Sequence, residues 1–214
     1  MMGVKRMTCL LGAAVLSACV GGGPAAPTRY YVLAPAADTG PIPSNAAAAG
    51  EGPSVELIRV ALPEYLNQSS IVTRGQTNEV TRAEYDLWAG PLSDEVTRTL
   101  AENLSMALPT ERLATGAARR MGPADYVVEV EIVSFERDAA NNVHLIARWS
   151  VSRDDGRTLV AMRRTVYQAP AAADYGTTVR AMSRALGDLG NDIAGTIKKS
   201  AAGSLPARAN ASRS

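Results

Sequence analysis

Leu16-Ser17-Ala18-Cys19 places a thiol directly behind an apolar run, Leu10 to Val15, and the basic pair Lys5 and Arg6. A cysteine thiolate is a nucleophile. A charged start, a short apolar stretch and small residues before a cut are the parts of an export signal. A Cys in the first mature position makes this a bacterial lipobox, with a signal peptide over 1–18 and Cys19 as the residue that takes a diacylglycerol. Two other readings use the same residues: a plain secretory signal with an incidental Cys, and an uncleaved anchor. The apolar run is much shorter than the roughly 20 residues that span a bilayer core.

Little else is arranged for covalent chemistry. His144 is the only histidine, which rules out a multi-histidine metal cluster, and after cleavage Cys19 is the one remaining cysteine, so a Cys-rich zinc site is excluded too. By alternation His144 lies opposite Val143, Leu145 and Trp149, as a partly exposed strand residue. Glu129 and Glu131 share one strand face, and a solvated face accounts for them better than an acid–base pair does. No Gly-x-Ser-x-Gly elbow supports a serine nucleophile. The sequence therefore reads as a non-enzyme with no metal and no cofactor beyond covalent lipid on Cys19.

Charge and composition narrow the partners. Removing Lys5 and Arg6 from 22 basic residues leaves 20 against 21 acidic ones, with no basic patch to bind nucleic acid. One acylated Cys allows no disulfide within the chain, so stability must come from a packed core, for which 46% hydrophobic residues suffice. The Gly-rich stretch within 19–28 is a lipidated tether, and a coil of about 11 residues reaches roughly 17 to 20 Å. The domain expected over 29–202 carries a flexible loop at 34–53, rich in Pro, Ala and Gly, and is followed by a tail at 203–214.

Two groups of strands, each followed by an amphipathic helix, fill that domain. Arg29 to Leu33 reads as an isolated first strand. Val55 to Leu62, Ser70 to Arg74 and Glu79 to Tyr85 precede a helix opened by Pro91, striped by Leu92, Val96, Leu100, Leu104 and Leu108, and ended by Pro109. Tyr126 to Ile132, Val143 to Val151 and Arg157 to Tyr167 follow, with Asp155-Gly156 as a hairpin turn. A last helix over about 174–199 shows an i, i+3, i+7 stripe of Val179, Met182, Leu186, Leu189, Ile193 and Ile197. Gly187, Gly190 and Gly195 each weaken it by roughly 1 kcal/mol relative to Ala, which suits close packing of its backbone. This order predicts an α+β fold, a mixed or antiparallel sheet with two main helices packed on it as an α/β sandwich.

One region is more distinctive. It comprises Val60-Ala61-Leu62-Pro63-Glu64-Tyr65-Leu66, Ile71-Val72-Thr73-Arg74, Asn78, and Leu87-Trp88-Ala89-Gly90-Pro91-Leu92, behind Tyr30-Tyr31-Val32-Leu33 and the lipobox. In this order the motifs resemble the ABC-type transport auxiliary lipoproteins of the PqiC (YmbA) family, with Ala124-Asp125-Tyr126, Ala147-Arg148-Trp149 and Met182-Ser183-Arg184-Ala185-Leu186 agreeing later. The chain departs from the pattern at Asn67 to Ser70, at Leu87 where an Arg is common, and at Gly90 in place of an acidic residue.

The resemblance implies a lipid-anchored subunit at the periplasmic face of the outer membrane, for which Val20 in place of Asp after the lipidated Cys is the matching signal. It implies a periplasmic MCE-domain protein as partner, homo-oligomeric assembly, and a role in intermembrane lipid transport and envelope integrity. Tyr30, Tyr31, Leu62, Pro63, Tyr65, Leu66, Arg74, Asn78, Trp88 and Pro91 are the candidates for a partner or oligomer surface. Their other reading is closure of the core and the start of the first helix. The competing function is a lipoprotein chaperone or ligand-binding module for outer-membrane assembly.

Overall fold

The computed structural model describes residues 26–35, 52–108, 110–116 and 122–204. Cys19, the signal peptide 1–18, most of the tether, most of the loop at 34–53 and nearly all of the tail 203–214 lie outside these residues. The elements in chain order are β1 (Arg29–Tyr31), β2 (Val55–Ala61), β3 (Ser70–Arg74), β4 (Val80–Trp88), α1 (Leu92–Ala107), β5 (Leu113–Thr115), β6 (Tyr126–Arg137), β7 (Asn142–Arg153), β8 (Thr158–Pro170) and α2 (Tyr175–Ser204).

All eight strands form one mixed sheet, organised by β6. One edge of β6 pairs antiparallel with β7 from Tyr126 to Arg137, and β7 pairs antiparallel with β8, the meander expected from the alternation of Val128, Val130 and Ile132. The other edge is shared. Parallel β2 occupies it from Tyr126 to Glu131, and parallel β3 reaches it at Thr73 opposite Arg137. The sheet therefore forks, with β5 outside β2, and with β4 and then β1 outside β3. Pro63 ends β2 because it lacks the N–H a ladder requires. The turn after it is tied by Leu66 N–H to Pro63 O at 3.0 Å and Asn67 N–H to Glu64 O at 3.1 Å.

Both helices pack on one face of this sheet, α2 against β7 and β8 and α1 against β2 and β5. The stripes read from the sequence are buried as expected: Leu92, Val96, Leu100 and Leu104 in α1, and Val179 through Ile197 in α2. Asp94 and Glu95 in the first turn of α1 suit the positive end of the helix dipole. Asp174 caps α2, its Oδ1 accepting the Thr177 N–H at 2.8 Å. Glu129, Glu131 and Arg148, on the other face, are exposed.

Several boundaries differ from the sequence expectation, among them the end of β6, which runs past Ile132 to Arg137. Trp88 closes β4 rather than opening the helix, because its N–H donates to Ser69 O at 2.7 Å and the strand continues through it. β8 runs on to Pro170, and α2 runs on to Ser204 into the expected tail. β5 is an addition: three residues carry no visible alternation, and the strand exists because β2 offers it a parallel edge.

Gly190 and Gly195 separate physically. A Cβ on Gly190 would lie 2.9 Å from the Asn103 Cβ, so the two helices approach there as closely as a missing side chain allows, whereas nothing lies within 4 Å of that position on Gly195. Gly190→Ala is expected to destabilise by about 1 to 3 kcal/mol through overpacking. Gly195→Ala should stabilise by about 0.5 to 1 kcal/mol. Urea unfolding of the two variants checks both signs.

Candidate functional site: the motif wing

The candidate surface residues Tyr30, Tyr31, Leu62, Pro63, Tyr65, Leu66, Arg74, Asn78, Trp88 and Pro91 fall on the wing β1–β4–β3, on the turns beside it, or just before α1. Its centre is Glu136, a carboxylate only 2% exposed near the end of β6. Arg74 Nε donates to Oε1 at 2.6 Å and the Tyr65 hydroxyl donates to Oε2 at 3.0 Å. The Phe135 N–H and the Ser134 hydroxyl donate to the same carboxylate at 2.7 and 3.1 Å. Arg74 Nη2 also donates to the Tyr65 oxygen at 3.1 Å, and its guanidinium lies 5.7 Å from the centre of the Tyr65 ring. A buried charge is tolerable only when paired and hydrogen-bonded in this way. Burial, and then the neighbouring Glu136 charge, push the Tyr65 hydroxyl up to about 12.

A second carboxylate fastens the N-terminal strand. Asp86 accepts Arg29 Nε at 2.8 Å, Arg29 Nη2 at 3.1 Å and the Tyr31 hydroxyl at 2.7 Å. Burial opposes its ionisation, but the bonds from Arg29 and Tyr31 prevail and hold it below the ordinary carboxylate range. The chain then passes between the helices. Leu33 is buried, its carbonyl accepts Arg98 Nη2 at 2.9 Å, and the Ala34 N–H donates to Ser183 Oγ at 3.1 Å. The first strand is therefore fastened to β4 at its start, through Arg29, and to both helices just beyond its end, through Leu33 and Ala34.

Trp88, 4% exposed, and Leu66 are core residues instead of contact residues. Asn78 is exposed and adopts φ 61°, a left-handed conformation that Asn accommodates better than most residues, so its place in the motif is explained by the β3–β4 turn. Pro91 is exposed, and its carbonyl accepts the Asp94 and Glu95 N–H groups at 3.0 and 3.1 Å. Leu62, Pro63, Tyr31, Tyr65 and Arg74 are half-buried, and Tyr30 is 66% exposed. Glu136, Asp86, Arg29 and Glu95 were not singled out beforehand. The visible signal for Glu136 was an isolated acidic residue at the end of an apolar strand, in a chain whose Ile-Val-x-Arg motif supplies a cation needing a partner.

Catalytic geometry is not what these groups make. Both oxygens of Glu136 are occupied within the fold, and His144, opposite Glu136 in the β6–β7 ladder, is engaged by Asp138, its Nε2 2.8 Å from Oδ2. Among the described residues no group of three or more His, Cys, Asp or Glu side chains is arranged to hold a metal ion.

The family of ABC-type transport auxiliary lipoprotein components matches residues 31–194. The chain belongs to this family. That match begins at Tyr31, the last residue of β1, and takes in the rest of the wing and most of α2. Two solved structures share the fold. One, of an uncharacterized protein, is 21% identical over 80% of this chain and 99% of its own, with a TM-score of 0.63. The other, from Xanthomonas campestris, is 14% identical over 81% and 99%, with a TM-score of 0.61. No curated protein matches the sequence significantly. Membership in this lipoprotein family implies a membrane-anchored location in the envelope, and the family is not known for catalysis.

Removing one partner of a buried charge is costly, so Arg74→Ala should lose about 3 kcal/mol, and Tyr65→Phe about 1.5 kcal/mol. Trp88→Ala should lose about 3 to 5 kcal/mol. Denaturant unfolding measures all three. The raised Tyr65 value adds a pH signature. Unfolded tyrosine titrates near 10, so between pH 10 and 12 the unfolded chain releases a proton that the folded one keeps. The Tyr65 contribution is complete below pH 10 and lost as pH rises toward 12, and Tyr65→Phe should flatten that decline.

Proposed function

We propose that this protein is the outer-membrane lipoprotein of an MCE-type ABC transport system, a docking subunit for a periplasmic MCE-domain protein in lipid movement between the two membranes. The observation that carries this reading is the family match over 31–194 standing behind a lipobox at Leu16 to Cys19. Acyl chains on Cys19 supply an anchor without a membrane helix. Among the described residues no helix is long and apolar enough to cross a membrane.

The wing fits the part. A tethered docking subunit must transmit load from its lipid to its core, and the N-terminal strand is held by the Arg29–Asp86 pair, the Tyr31 hydroxyl and the Leu33 clasp. Of the candidate surface residues, Tyr30, Asn78 and Pro91 remain open to solvent and are the ones available to a partner.

Cys19→Ala is expected to leave the chain unacylated and absent from outer-membrane fractions, and the intact protein should co-purify from envelopes with an MCE-domain protein. Deleting the gene should sensitise cells to detergent, and an exported but lipid-free domain should not restore resistance. Normal fractionation of the Cys19→Ala protein with outer membranes would contradict the anchor, and rescue by the soluble domain would contradict the need for it.

A further inference from the structure

A stretch of surface without charge lies along the first strand. Tyr30 is 66% exposed and Val32 54%, while Tyr31 and Leu33, which alternate with them, turn toward the core. Tyr30 stands opposite Leu87 in the β1–β4 ladder, and the Ala89 N–H donates to Tyr31 O at 2.9 Å, so residues 30–32 and 87–89 lie side by side. No charged side chain occurs from Tyr30 to Pro35 or from Leu87 to Leu92, in a chain of which 20% is charged. Ala89 and Pro91 are exposed and Leu87 is half-buried. Apolar residues scattered singly on a surface need no explanation, but contiguous ones mark contact sites for proteins or membranes.

The charges that border this stretch are mostly spent within the fold. Arg29 and Asp86 pair at 2.8 Å at its start, Arg98 holds Glu95 at 2.7 Å beyond its end, and exposed Asp94 marks its far limit. Position then decides the kind of occupant. β1 is the first strand behind Cys19, and a coil of the intervening length reaches only roughly 17 to 20 Å. A lipid on Cys19 keeps this face beside a bilayer at an effective concentration on the order of millimolar, as short flexible linkers do. A contact too weak to hold a free domain is then populated.

We propose that the face formed by Tyr30, Val32, Leu87, Ala89 and Pro91 rests on the phospholipid surface that carries the Cys19 anchor, as a second, non-covalent membrane contact. Tyr suits the depth of the headgroups, where its ring is buried and its hydroxyl stays hydrated. Val32, Ala89 and Pro91 add apolar area with no charge to desolvate. Because β1 is fastened to β4 and to both helices, the contact orients the whole domain on the membrane. This rests on the anchor reading given above. Its test supplies the lipid chemically, so a failure of acylation in cells and a failure of this contact are told apart.

The mature chain is coupled through Cys19, its one cysteine, to a maleimide-bearing phospholipid in vesicles of phosphatidylethanolamine and phosphatidylglycerol, with or without lipids brominated near the headgroup. Trp88 and Trp149 are buried and give a constant background. Fluorescence of Tyr30→Trp should shift to the blue on coupling and be quenched by the brominated lipid, and Val32→Trp should behave alike. Met106→Trp, exposed on α1, should be quenched no more than the parent. Adding Ala89→Asp to Tyr30→Trp should restore the fluorescence, with circular dichroism confirming unchanged melting. Should Ala89→Asp melt differently, Val32→Asp is tested in its place. Quenching at residues 30 and 32 no greater than at 106 would overturn the proposal and leave Tyr30 to a protein partner, and quenching that survives the added Asp would overturn it too.

Discussion

The pairing of Glu136 with Arg74 and Tyr65 holds a sheet that its backbone alone holds weakly. β2 meets β6 along six register positions, whereas β3 meets it at one, Thr73 opposite Arg137. A single ladder position adds little, since a net intramolecular hydrogen bond contributes only about 1 kcal/mol. Side chains must therefore attach the wing, and the burial of a fully satisfied carboxylate makes the attachment specific in geometry, because a displaced Arg74 would leave a charge stranded in the core. Leu66 and Ile71, both buried beside it, supply the apolar contact that the polar cluster cannot.

The same wing carries the N-terminus, and this links packing to anchoring. β1 contributes only three residues, paired parallel with β4 from Asp86 to Trp88. A strand so short would fray if left to its ladder. It is held because the Asp86 carboxylate takes three donors from Arg29 and Tyr31, and because Leu33 and Ala34 hand the chain to α1 and α2. Tension on a lipid-linked tether would pass through β1 and β4 to β3, and so to Glu136.

The helices, the β6–β7–β8 meander and the α+β class were legible in the sequence because they are local: a stripe at helical period or an alternation at period two needs no partner to be recognised. The fork was not, because strands 55–61 and 70–74 lie along the same edge of a strand more than 50 residues later, and nothing in either segment says so. Glu136 escaped for a related reason. A register shift between Ile132 and Ser134 breaks the alternation of β6, so Phe135 turns into the core where the pattern read forward from Ile132 would bury residue 134. Trp88 and Tyr65 were legible as important but not as to role, since an aromatic residue with a polar handle suits a core and an interface equally. The structure divides them: Trp88 is packed into the core, and Tyr65 spends its hydroxyl on Glu136.

The sheet order places β1 and β8 at opposite ends. From β1 through β4, β3, β6 and β7 to β8 there are five interstrand steps, about 24 Å at the usual spacing. A twist of roughly 20 to 25° per step turns β8 by about 100 to 125° from β1. The β5 edge lies on the second arm of the fork, clear of β1. The fork thus does more than accommodate an interrupted strand. By splitting the sheet at β6 it gives β5 and β1 separate edges, so that the N-terminal strand is held apart from the corner of α1, β2 and β5.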